Sequence, residues 1–172
     1  MEVTKTALFE KTMLPHLDAA YNLARWITRN AQDAEDAVQE AYLRAFRYFD
    51  TFTGGDGRAW ILTIVRNTCL TLRSGRQKGA DALFDEGVHS PASGHSTPES
   101  AMLDAAGLGD LRDCIQDLPV EYRETIVMRE LEELPYKTIA EVTALPIGTV
   151  MSRLSRARKR LHDCMAAKGA IV

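Results

Sequence analysis

The stretch "SGRQKGADALFDEGVHSPASGHSTPES", residues 74–100, constrains the fold of this chain more than any other segment. It is rich in Gly, Ser, Pro and His and holds no sustained apolar period, the composition of a flexible linker. It is also too long for an ordinary connection inside one compact domain. The chain must therefore fold as two small units, residues 1–74 and 99–172, with 75–98 as linker. Within that linker, Phe84 is the side chain with a reason to dock.

Both units read as helical, because no segment alternates polar and apolar residues for long enough to argue a strand. In the first unit, "LPHLDAAYNLARWITRN" puts Leu14, Leu17, Tyr21, Ala24 and Ile27 on one stripe, with Pro15 tolerable near a helix start or as a break from a preceding short helix. "DAEDAVQEAYLRAFRYF" opens on Asp33 as the expected N-cap, with Asp36 near the positive end of the helix dipole. Val38, Tyr42, Ala45, Phe46 and Phe49 follow at helical spacing as its core face. "GRAWILTIVRNTCLTLR" does the same with Trp60, Ile64, Val65, Thr68 and Leu72. The first unit is thus a small helical bundle. In the second, four helical segments are separated by Pro119, Pro135 and Pro146, and the last two form a helix-turn-helix candidate.

Charge singles out the last helix. The chain carries a net charge of −3 with a pI near 5.8, which argues against indiscriminate coating of nucleic acid. Yet "LPIGTVMSRLSRARKRL", residues 145–161, holds basic residues and no acid. On a helical wheel Val150, Leu154, Ala157 and Leu161 form a narrow inward stripe. Thr149, Arg153, Arg156 and Arg160 lie beside it, Ser152, Ser155 and Lys159 opposite, and Arg158 at the other edge. Small hydroxyls admit a helix closely into a groove, and arginines then reach phosphates or base edges. A run of charge is more often a solvated face; the short helix and proline turn that precede this one favour DNA. Membrane binding is disfavoured, since Val150 to Leu161 offers no aromatic or Leu-rich insertion face.

Other classes find little support. No apolar run is long enough for a membrane span or a signal peptide, so the expected location is the cytoplasm. Cys69, Cys114 and Cys164 are widely spaced, without a CxxC or Cys/His pairing, and are expected to be buried, inert thiols. No metal site and no cofactor are expected. "TGGDG" lacks the phosphate-loop pattern, and no His/Asp/Ser constellation points to an enzyme.

The string "LPYKTIAEVTALPIGTVMSRLSRARKRL" resembles the C-terminal helix-turn-helix of bacterial extracytoplasmic-function (ECF) sigma factors, of the sigma-70 family. "DAEDAVQEAYLRAFRYFDTF" followed by "GRAWILTIVRNTCLTL" resembles their N-terminal domain. The resemblance implies an all-α protein of two helical domains joined by a flexible linker. It implies a factor that binds core RNA polymerase, directs it to promoters and assists melting, with no catalytic site of its own. An anti-sigma factor is the expected regulatory partner.

The same resemblance assigns surfaces. Asp36, Gln39, Glu40, Leu43, Arg44 and Arg47 match the face that docks the β′ clamp helices of polymerase. Gly54, Gly55 and Asp56 match a loop that pockets a flipped base of the −10 element, and Arg66 and Asn67 match positions beside the melted strand. Arg58, like Arg73, is a backbone-contact candidate on that helix. Thr149, Ser152, Arg153 and Arg156 match the helix that reads the −35 duplex, with Lys159, Arg160 and Lys137 as backbone contacts. Lys137 and Ala144 depart from the pattern, which favours an acid and a turn glycine there. The acidic linker would suit a positively charged channel in polymerase. The alternative reading is an autonomous helix-turn-helix regulator, which leaves the first unit unexplained.

Overall fold

The computed structural model describes residues 4–80 and 107–169, and these are helical throughout apart from short connections. The first unit comprises α1 (Lys5–Met13), a 3-10 turn at Leu14–His16, α2 (Leu17–Thr28), α3 (Ala31–Arg47) and α4 (Gly57–Ala80). The second comprises α5 (Leu108–Gln116), α6 (Val120–Ile126) extended by a π turn at Val127–Leu131, α7 (Tyr136–Thr143) and α8 (Ile147–Ala167). α4 runs past residue 74, so the first six residues read as linker belong to a helix. The rest of the linker, with Phe84 and all of its acids, lies outside the described residues.

Helix boundaries follow local chemistry. Thr4 caps α1 by accepting the Ala7 N–H, at 3.1 Å. Asn30, not Asp33, caps α3: its side chain accepts the Asp33 N–H at 3.0 Å, and Asp33 sits buried in the first turn. Both are good capping residues, and the one that can remain extended takes the role. Asp56 caps α4 through the Ala59 N–H, at 3.1 Å.

The core of the first unit differs from the expected stripe in α2. Leu14, Leu17 and Tyr21 are exposed, while Ala20, Leu23, Ala24 and Ile27 are buried. Alanines let α3 and α4 approach α2 closely, so the smaller face turns inward. A similar shift in α4 buries Ala59, Ile61, Leu62 and Val65, leaving Trp60 and Ile64 partly buried. Trp60 joins Phe49 and Phe52 in an aromatic cluster, a packing role. Phe9 meets Phe46 and Phe49 edge-on, and the Tyr42 hydroxyl donates to the Met13 carbonyl at 2.9 Å. Burial pushes the Tyr42 phenol up to about 12.

The two units share one contiguous core, with α4 packed on α7 and α2 on α6. Arg123 of α6 is their main polar staple. Its guanidinium donates to the carbonyls of Trp26 and Ile27 near the end of α2 and of Gln116 and Leu118 at the end of α5. Two helix C-termini, each with unpaired carbonyls and partial negative charge, thus converge on one cation.

The cysteines depart from expectation. Cys114 and Cys164 form a disulfide between α5 and α8, the first and last helices of the second unit, which lie side by side. Only Cys69 is free; it is buried, and burial together with the Glu124 carboxylate pushes its thiol up to about 12.

The turn between α7 and α8 holds Ala144 at φ 55°, a left-handed conformation that strains any residue with a Cβ. Ala144→Gly is expected to stabilise the protein by roughly 1 kcal/mol. A midpoint shift in urea unfolding checks this, and an unchanged or lower midpoint would show that the turn carries no strain.

Candidate nucleic-acid interface

The helix-turn-helix is built from α7, the turn at Ala144 to Pro146, and α8. Leu145 N–H bonds back to the Ala140 carbonyl, and Thr149 and Val150 N–H groups bond to the Pro146 carbonyl. Val150, Leu154 and Ala157 are fully buried and fix the rotation of α8 about its axis. That rotation turns Ser152 and Arg156 outward and leaves Thr149 and Arg153 half-buried beside them. Thr149, Ser152, Arg153 and Arg156 line an open concavity of about 560 Å³, completed by Pro146, Gly148, Glu121 and Tyr122. The N-terminal end of a 21-residue helix adds its partial positive charge.

The remaining cations of α8 divide. Lys159 is exposed, and Arg160 lies over the Tyr122 ring, 5.1 Å from its centroid. Arg158 forks onto the Glu130 carboxylate at 2.6 and 3.1 Å, and that hydrogen bond raises its pKa further. Lys137 stands exposed at the start of α7.

In the first unit, Gly54 and Gly55 adopt φ 93° and 85°, and both are exposed with open space around them. Glycine is required there by backbone conformation. Asp56 is exposed and occupied as the cap of α4. Asn67 is exposed, but Arg58 and Arg66 are not free. Arg66 forks onto Glu124 of α6 at 2.7 and 2.9 Å, and Arg58 donates to the Glu132 carbonyl at 2.7 Å and its carboxylate at 3.3 Å. Neighbouring His16 has its pKa lowered by burial and by the Arg58 charge.

On α3, Asp36, Gln39, Glu40, Leu43, Arg44 and Arg47 are all exposed on one face. Leu43 is 62% exposed, an apolar side chain presented to solvent amid i,i+4 pairs such as Glu40–Arg44.

Residues 13–79 match the family described as Sigma-70 region 2, and residues 108–161 match that described as Sigma-70, region 4. The ECF RNA polymerase sigma factor SigE of Mycolicibacterium smegmatis is 32% identical, over 96% of this chain and 69% of its own length. The ECF RNA polymerase sigma-E factor of Haemophilus influenzae is 34% identical, over 82% of this chain and 78% of its own. The chain is an ECF sigma factor of the sigma-70 family.

Its fold matches the sigma factor RpoE of Bartonella quintana, solved in complex with the anti-sigma factor NepR. The TM-score is 0.73 at 27% identity, covering 92% of this chain and 96% of RpoE. CnrH, solved with the cytosolic domain of CnrY, shares the fold with a TM-score of 0.63 at 21% identity. The protein therefore serves transcription initiation. Among the described residues no helix is long and apolar enough to cross a membrane, and no acid, His or Cys cluster could hold a metal.

Sequence reasoning missed part of this sigma factor's candidate surface. Glu121 and Tyr122 come from α6, a helix to which the sequence assigned no surface role, and they reach the concavity because α6 packs along α8. Ile147 and Met151 are exposed apolar side chains of α8, about half accessible each. Their spacing of four was the available signal; attention to charge passed over it.

Proposed function

We propose that this sigma factor binds core RNA polymerase, guides it to specific promoters and assists their melting, with no catalytic site of its own. The observation that carries the reading is the concavity at the start of α8, where Thr149, Ser152, Arg153 and Arg156 converge beside a helix N-terminus. Arginine forks suit guanine edges and phosphates, and the hydroxyls suit close backbone approach. In this reading α8 fixes register on the −35 duplex, with Lys137, Lys159 and Arg160 on the DNA backbone. The loop at Gly54, Gly55 and Asp56, with Arg58, Arg66 and Asn67, takes the unpaired −10 strand. The α3 face around Leu43 docks the β′ clamp helices, an apolar anchor in a polar rim. Such work belongs in the cytoplasm. An anti-sigma factor is a further partner, supported by the likeness to RpoE held by NepR.

Run-off transcription with core polymerase and a promoter from the protein's own operon tests this. A specific transcript is expected, and none from active protein would end the reading. Arg153→Ala with Arg156→Ala should lower promoter-specific initiation on the order of a hundredfold, at roughly 1–3 kcal/mol for each lost fork. Polymerase binding should be unchanged. An equal loss of polymerase binding would remove these arginines from DNA reading.

A further inference from the structure

Two apolar side chains interrupt the polar surface of α8. Met151 is 52% exposed and Ile147 49%, four residues apart on the helix proposed to read duplex DNA. Single exposed apolar residues are ordinary on any surface. This pair is set apart by its position. Gly148, Ser152 and Ser155 form an exposed ridge of small residues along the first turns of α8, with open space where a Cβ on Gly148 would stand. With 3.6 residues per turn, Met151 lies about 70° to one side of that ridge and Arg156 about 70° to the other. The two therefore flank one face, with Arg156 lining the concavity beside Arg153 and Thr149, and Met151 on the opposite edge. The cation on the Met151 edge, Arg158, is held by Glu130 at 2.6 and 3.1 Å. What this edge offers is an apolar tip, backed by Ile147 one turn earlier.

We propose that Met151, with Ile147 behind it, is a specificity residue that packs against the 5-methyl group of a thymine in the −35 duplex. This deepens the proposed function and rests on its reading of α8. The major groove presents donors, acceptors and one apolar feature, the thymine methyl. Glycine and serine on the ridge bring the helix close enough for a flanking side chain to touch that methyl, where a bulky ridge would hold it off. Methionine suits the contact, because an unbranched thioether adjusts to its partner's position. Each competing base is disfavoured for its own reason. Uracil keeps the pairing and loses only the methyl, so it forfeits one buried carbon, about fourfold in affinity. Cytosine also sets an amino donor where the thymine carbonyl stood, and an apolar tip leaves that donor without a partner, so it costs more. Arg156, roughly 7.5 Å further along the helix axis, addresses a different base pair. An uncharged side chain releases no counterions, so the contact adds nothing to the salt dependence of binding.

The test uses holoenzyme assembled from the full chain and core polymerase, with a promoter from the protein's own operon. Deoxyuridine replaces the thymines of the −35 region one at a time on either strand, and affinity is read by equilibrium competition. At one or two positions uracil should weaken the wild-type complex about three- to fivefold, and a C·G pair there should weaken it more. Met151→Ala should lose the same factor on the thymine promoter and bind thymine and uracil templates alike. Met151→Leu should keep most of the preference and Ile147→Ala part of it. The slope of affinity against salt should be the same for Met151→Ala as for the wild type. Equal binding of thymine and uracil by the wild type at every position overturns the proposal while promoter selection stands. So does a Met151→Ala variant that still discriminates, or one that loses affinity for core polymerase by the same factor, which would make this edge a protein contact. If wild-type holoenzyme does not prefer its promoter to unrelated duplex, the proposed reading of α8 fails and this inference with it.

Discussion

Alanine in place of Arg123 is expected to cost about 3–5 kcal/mol of unfolding free energy, the range for breaking a buried charged network. Arg123 is 2% exposed, and its guanidinium gives N–H groups to four carbonyls, at 2.7 to 3.2 Å. Burial, then repulsion from Arg29 and Arg73, pushes its pKa down to about 10, so it stays charged at neutral pH. The cost of that charge is offset by its position between the C-terminal ends of α2 and α5. Remove it and four carbonyls lose a partner in a space too enclosed for full hydration, each worth roughly 1–3 kcal/mol before relaxation. Arg123→Lys should recover only part of the loss, because one ammonium cannot span two helix ends as a planar fork does. Urea unfolding measures both variants. A loss under about 1 kcal/mol for alanine would show that water replaces the guanidinium and that the staple lies elsewhere.

What could be read in the sequence was local. Helical period placed the helices from α2 onward but passed over α1, and prolines 119, 135 and 146 marked the joints of the second unit. The wheel put Val150, Leu154 and Ala157 inside and Ser152 and Arg156 outside, as found. The family's turn glycine at position 144 flagged the site where the structure holds Ala144 at a positive φ. Where two faces of one helix were both plausible, period alone failed: α2 offered Leu14, Leu17 and Tyr21 on one side and Ala20, Leu23 and Ala24 on another. The choice was made by how closely α3 and α4 could approach. Pairs distant in the chain were not legible at all. Arg66 and Glu124 are 58 residues apart, and Cys114 and Cys164 are 50 apart. Nothing in the spacing of such residues distinguishes partners from strangers, because tertiary packing alone brings them together. The candidate strand path was consequently read as open, and its engagement by the second unit emerged only from the fold.

Reduction of the Cys114–Cys164 disulfide is expected to lower the stability of the second unit by about 4 kcal/mol, from the loop-closure entropy of a 50-residue crosslink. That unit is small, so a term of this size is a large part of its total stability. The crosslink ties α5 to the C-terminal turns of α8, whereas Thr149 to Arg156 lie on the first turns, anchored by Val150 and Leu154. Loss of the bond should therefore act through unfolding of the whole unit, leaving the reading face intact in molecules that remain folded. Thermal unfolding with and without dithiothreitol measures the difference. Cys114→Ser with Cys164→Ser should unfold at the reduced midpoint and ignore reductant. Cys69→Ser should keep the full response, since its thiol is buried and held protonated up to about 12. An identical midpoint in both conditions would mean that the two sulfurs contribute as packed side chains and that the crosslink adds no constraint.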